Sequence, residues 1–104
     1  MIRKAFKMKI LPNKIEEYTK RHNPIWLELY DTLKDHGVSN YSIFHDEETN
    51  SLFAYAEVDS EEMWSAISKT EICKKWWKYM ASLMETNEDD SPVSVELKST
   101  FYIA

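Results

Sequence analysis

Apolar and charged residues alternate from the start of the chain. Ile2, Phe6, Met8 and Ile10 fall on one side of a period of two, with Arg3, Lys7 and Lys9 on the other, the pattern of a strand with one wet face. Pro12 and Asn13 end it. The period then turns helical: Ile15, Tyr18 and His22 share a face, with Asn13 placed to cap the helix and Glu16 placed to complete a capping box. The run Glu17–Trp26, E-Y-T-K-R-H-N-P-I-W, forces a stop. Pro24 lacks a backbone donor and pushes Asn23 out of the α region, so the helix ends or kinks just after His22. Pro24 is placed to open a second segment, with Ile25, Trp26, Leu29 and Leu33 on its apolar face and Gly37 as its C-cap.

Val38–His45 and Ser51–Val58 read as a hairpin around the polar loop D-E-E-T-N. The second strand puts Leu52, Ala54, Ala56 and Val58 on one face and Phe53 and Tyr55 on the other, so both faces ask to be covered. Ser60 caps a short helix through Ile67 with Trp64 inward, and Thr70 caps another running to about Met84. Asn87–Pro92 is a turn-rich acidic loop, and Val95, Leu97, Phe101 and Ile103 alternate along a closing strand. The order is β-α-β-β-α-β with a split second helix: an α+β, ferredoxin-like subunit in which residues 1–104 form one domain. Helices from so short a chain can cover one side of the sheet. The other side calls for a partner, most simply a second copy.

Composition narrows the function classes. With 14 aromatic residues among 104 (4 Trp, 6 Tyr, 4 Phe) the chain is not disordered. A net charge of -5 argues against a nucleic-acid partner, because neutralising phosphates needs a basic face. No apolar run approaches the roughly 20 residues of a membrane span, and charges interrupt the N-terminal apolar pairs that a signal peptide would keep together. One cysteine, Cys73, rules out an intrachain disulfide and a multi-cysteine zinc site. It fits a reducing, cytoplasmic setting. A single glycine, Gly37, leaves no phosphate-cradling loop. No His/Glu spacing matches a zinc helix, and the acidic run Glu85–Asp90 lacks the spacing of a calcium loop. No metal and no cofactor is expected.

Two constellations remain. On the helix from Thr70, Ile72, Trp76, Tyr79 and Leu83 form one stripe, and Cys73, Trp77, Met80 and Met84 form the next. Together they span about 160°, against roughly 100° for an ordinary surface helix, so the second stripe is expected to be hidden by a partner, the sheet or a ligand. Core packing accounts for most such stripes. Adjacent tryptophans nonetheless suit a ligand with a C–H face and hydroxyl edges, such as a sugar. Of three histidines, His36 sits beside Gly37 at a helix end that favours a cation, and His45 ends a strand before Asp46, where exposure is expected. His22 differs, because the Asn23-Pro24 break fixes its direction and Tyr18 stands one turn away. Its ordinary pKa of about 6.5 suits it to both give and take a proton. Cys73 is expected to be buried and inert.

E-Y-x-x-R-H-N-P-I-W (Glu17–Trp26), N-Y-S-I-F (Asn40–Phe44), C-x-x-W-W-K-Y-M (Cys73–Met80) and S-P-V-S-x-E-L (Ser91–Leu97) together resemble the L-rhamnose mutarotase family over essentially the whole chain. The resemblance implies a cytoplasmic homodimer of ferredoxin-like subunits whose sheets pack as an α+β barrel. It implies interconversion of the α and β anomers of L-rhamnopyranose, an isomerase reaction without cofactor or metal. By that pattern His22 is the proton donor, and Tyr18, Tyr41, Trp76 and Trp77 contact the sugar. The residue patterns by themselves leave two rivals open: a cofactor-free oxygenase, since ferredoxin-like dimers also host that chemistry, and a non-catalytic sugar-binding dimer.

Overall fold

The N-terminal alternation becomes strand β1 (Ile2–Lys9), and it is followed by α1 (Ile15–Arg21), α2 (Leu27–Asp35), β2 (Val38–Asp46), β3 (Ser51–Val58), α3 (Glu61–Ile67), α4 (Glu71–Met80), a 3-10 turn at Ala81–Leu83 and β4 (Ser94–Glu96). The computed structural model describes residues 1–104. Its antiparallel sheet has the order β2-β3-β1-β4, so the α+β, ferredoxin-like architecture read from the sequence is the one observed.

Register explains where the core lies. Met8 stands opposite Leu52, Phe6 opposite Ala54 and Ile2 opposite Val58, which collects the small and branched residues of β1 and β3 on one face. On that face Met8, Leu52, Ala54, Ala56 and Val58 are buried under the helices. A one-residue slip would have sent the whole set to solvent. The opposite face pairs Phe44 with Phe53 and Lys7 with both Phe53 and Val95. There Phe44, Phe53 and Val95 are exposed.

Four local expectations are corrected. Asn13 does not cap α1: it takes a left-handed turn conformation (φ 63°), and Lys14 precedes the helix with no side-chain cap. Asparagine serves both roles, because its short amide tolerates positive φ as readily as it caps. Pro24 does not open α2, which starts at Leu27 after an extended Trp26. The Trp26 ring is recruited to stack on Tyr79, so tertiary packing sets the helix start. α4 stops at Met80, not Met84, and tightens into the 3-10 turn. Finally, the closing strand is only Ser94–Glu96. Beyond it Leu97 N–H still donates to the Ala5 carbonyl, but Phe101 and Ile103 lie exposed outside any ladder.

Of the covers open to the α4 stripes, the structure shows packing within the chain for most positions. Ile72, Cys73, Trp76, Met80, Leu83 and Met84 are all buried inside this one chain. The 3-10 turn carries Leu83 and Met84 back toward β1, where Met84 bridges to Ile10. Most of the second stripe therefore needs no partner. Only Trp77 stays half-buried, and Tyr79 is the stripe residue left exposed. The caps of the last two helices form as read: Ser60 accepts from Met63 N–H and Thr70 from Cys73 N–H. His36 ends α2, and Gly37 follows with the positive φ (76°) that closes it.

Candidate active site

The proline break does what its chemistry demands. α1 ends at Arg21, and His22 caps it, its backbone N–H donating to the Thr19 carbonyl while the Asn23 N–H donates to Lys20. The imidazole folds back one turn, where its Nδ1 lies 2.8 Å from the Tyr18 carbonyl oxygen. A carbonyl can only accept, so Nδ1 carries the hydrogen. In the neutral ring Nε2 is then the free base, and it has no protein partner. The ring lies against Tyr18 (centroids 4.4 Å apart) and meets Trp76 edge to face (5.1 Å, 90°). Burial lowers the His22 pKa from its ordinary value, partly offset by the bond to Tyr18. At neutral pH the ring is therefore uncharged.

Tyr41 reaches the same space by a different device. The β2–β3 register shifts between Ser39 and Ser42, so two residues of β2 face one of β3. Asn40 absorbs the extra residue with φ 48° and donates through Nδ2 to Glu57 at 3.0 Å. Such a bulge re-aims a side chain. Here it turns Tyr41 to the helix side of the sheet, against Phe6 (6.4 Å) and Trp64 (6.3 Å). Tyr18 and Tyr41 both have phenol pKa values raised well above normal, chiefly by desolvation, with a smaller mutual contribution at Tyr18 and one from Cys73 at Tyr41. Tyr41 keeps 37% of its surface accessible. A side chain facing a cleft is wet at close range and still surrounded by protein. Neither phenol hydroxyl bonds to protein, and both tyrosines line the cleft as neutral donors.

That cleft, about 1310 Å³ between the helices and the sheet, is lined by Tyr18, His22, Tyr41, Trp76 and Trp77, the five residues singled out from the sequence. It exceeds the roughly 300–1,000 Å³ of a usual small-ligand site, so a monosaccharide would occupy part of it. Phe6 and Trp64 also line it and were not singled out as site residues. Their signal was weak: each reads as ordinary core, and only the bulge brings Tyr41 to them. An asparagine inside an otherwise alternating strand was the one sequence hint of that bulge.

The other candidates fall into structural roles. His36 bonds through Nδ1 to the Thr32 carbonyl at 2.7 Å. His45 is half-buried rather than exposed, with Nε2 3.3 Å from Asn50 Oδ1, and it borders the cleft. Cys73 is buried, and desolvation lifts its thiol pKa to about 11, so it stays protonated and unreactive. The acidic loop bonds to itself, Asn87 Nδ2 donating to Ser91 Oγ and Ser91 N–H to Asp89, while Asn87 and Asp90 border the cleft. Lys4 joins α3 to β4 through Glu61 and Glu96. No helix is long and apolar enough to cross a membrane.

Comparison with known proteins bears on this arrangement. The family model for L-rhamnose mutarotase matches residues 3–103. An L-rhamnose mutarotase from Tolumonas auensis is 58% identical over 104 residues, all of both chains. The crystal structure of an L-rhamnose mutarotase from Formosa agariphila superposes with a TM-score of 0.92 at 47% identity, again over 100% of each chain. A dimeric ferredoxin-like protein from an uncultured marine organism, 16% identical, shares the fold alone at a TM-score of 0.60 over 97% of this chain and 96% of that one. A match that spans nearly every residue, at identities far above those of fold-only neighbours, means that this chain belongs to the L-rhamnose mutarotase family.

Proposed function

We propose that this protein is an isomerase that interconverts the α and β anomers of L-rhamnopyranose, with His22 as the proton-transfer group. The observation that carries the reading is the 2.8 Å contact of His22 Nδ1 with the Tyr18 carbonyl oxygen, which leaves Nε2 as the free base of a residue that lines one cleft with Tyr18, Tyr41, Trp76 and Trp77. Ring opening moves one proton. The C1 hydroxyl loses it, the C1–ring oxygen bond breaks, a C1 carbonyl forms and the ring oxygen becomes a hydroxyl. Nε2 takes the proton from the C1 hydroxyl, and the resulting imidazolium donates it to the ring oxygen. Both oxygens sit on C1, so one nitrogen can serve both without leaving its place. After rotation about the C1–C2 bond the same steps run backwards on the other carbonyl face. The proton balance closes on sugar and imidazole, with no cofactor required by the reaction.

Tyr18 and Tyr41, held as protonated phenols, donate to sugar oxygens, and Trp76 and Trp77 offer faces to the sugar's C–H surface and methyl group. Affinity is expected to be weak, since tight ground-state binding brings no rate benefit. The full chain acts as one domain and works as a homodimer, a reading supported by the exposed apolar sheet face. A cytoplasmic setting suits the single free, buried Cys73.

Saturation-transfer NMR of L-rhamnose tests the reading. The protein should accelerate anomeric exchange, and His22→Asn should lower kcat by about 10²–10⁴-fold, the range for losing a general acid-base group. Exchange unchanged in His22→Asn would remove this histidine from the mechanism. Oxygen consumption with a quinol and no sugar exchange would favour the oxygenase rival. Tryptophan fluorescence responding to rhamnose without faster exchange would favour the binding protein.

A further inference from the structure

We propose that Arg21 is a positioning residue for His22, locking the C-terminal end of α1 to the end of α4 so that the imidazole and the tryptophan wall keep one geometry. The inference rests on the mutarotase reading above. The proton-transfer group and the indoles that would hold the sugar lie on different helices, α1 and α4. Something must set their relative placement, because an error of about 1 Å in a reacting group can cost about 100-fold in rate.

Arg21 directly precedes His22 and supplies three attachments at that junction. Its Nε donates to Glu17 Oε2 at 2.7 Å, one turn back on α1. Its Nη1 donates to the Tyr79 carbonyl, one of the last carbonyls of α4, where a cation is also favoured by the helix dipole. Its guanidinium covers the Tyr79 ring, 4.3 Å from the centroid. From there contact passes through rings: Tyr79 stacks on Trp26 (5.0 Å), Trp26 meets Trp76 edge-on (5.1 Å), and Trp76 meets His22 (5.1 Å). The His22 ring is thus held from its own backbone by Arg21 and through Trp76 by the far end of the same chain of contacts. Arg21 itself does not line the cleft. Its charge is already matched by Glu17, whose carboxyl pKa is lowered first by the bond to Arg21. It acts through placement and not on the sugar.

A planar fork is needed to bond Glu17, bond the carbonyl and stack at once, and lysine supplies only a point charge. Steady-state anomeric exchange of L-rhamnose by NMR, with melting temperature measured in parallel, tests the proposal on Arg21→Met, Arg21→Lys and Tyr79→Leu. Arg21→Met should lower kcat by about 10- to 100-fold with KM little changed, and Arg21→Lys should recover only part of the loss. Tyr79→Leu keeps the carbonyl and removes the ring, so it should show a smaller fall of the same kind, and it reports even if Arg21→Met fails to fold. Variants that melt lower but turn over as fast as the parent per folded molecule would overturn the proposal and leave the mutarotase reading intact, as would a loss confined to KM. A parent protein without exchange activity would overturn both.

Discussion

Replacing Phe53 by aspartate should dissociate the proposed homodimer. Phe53 lies on β3, opposite Phe44 on one side and Lys7 on the other, at the centre of the sheet face that the helices do not cover. It is 39% exposed in the single chain. Taking about 200 Å² for an aromatic side chain, about 80 Å² of Phe53 remains to be buried by a partner. At about 25 cal/mol/Å² that contributes about 2 kcal/mol per residue. A two-fold interface uses the same patch from both subunits, so each dimer loses about 4 kcal/mol, before any cost of placing carboxylates there. The dissociation constant should rise about a thousandfold. Sedimentation velocity across micromolar concentrations reads this directly: the parent should run as a dimer and Phe53→Asp as a folded monomer with native-like circular dichroism. A parent that is monomeric at micromolar concentration, or a variant as dimeric as the parent, would refute the argument that this face is an interface.

Two further outcomes follow from the local chemistry. The rate should depend on neutral His22, so kcat/KM should fall as pH drops through a pKa that burial has moved below its ordinary value, and it should stay level above. The raised phenol pKa values of Tyr18 and Tyr41 keep the high-pH side flat through neutrality, and a midpoint above about 6.5 would contradict the assignment. Gly37→Ala should destabilise without changing exchange measured well below the melting transition. Its φ of 76° already disfavours a side chain, and a Cβ there would lie 2.7 Å from Asp59 Oδ2 and 2.9 Å from Asp59 Cβ. A left-handed alanine costs about 1–2 kcal/mol, or a fall of at least about 4 °C in Tm for a domain of this size, and an unshifted thermal melt would show that the turn relaxes instead.

The strands and the element order were legible because register and burial repeat the same signal many times. Each apolar residue of Ser51–Val58 that alternates inward is buried, and a period of two sustained over a whole strand is hard to misread. Boundaries were less legible, because single residues decide them and their chemistry serves more than one purpose. Asn13 could cap or turn, and it turned. Pro24 could start a helix, but Trp26 was drawn into the ring stack and delayed it. The length of α4 failed for a related reason: Leu83 and Met84 keep a helical spacing in sequence, yet a 3-10 turn buries both within this chain.

The site shows the same division more sharply. The placement of His22 at a helix end was legible because a covalent constraint, the following Asn-Pro step, makes a local statement that tertiary structure cannot easily override. Tyr41 carried no such constraint, and only family resemblance singled it out. By strand parity alone Tyr41 and Ser39 share one side. The bulge at Asn40 breaks that parity, so Tyr41 faces the cleft while Asn40 reaches Glu57. Arg21 and Trp26 were invisible as site components for a further reason: neither needs to touch the sugar. What they fix is the relation between two helices, set by a guanidinium, a carbonyl and three rings in contact drawn from residues 21, 26, 76 and 79. Such a relation has no period in sequence. It exists only once the chain has brought the end of α1 against the end of α4, where Tyr18 is buried and Nε2 of His22 is left without a protein partner.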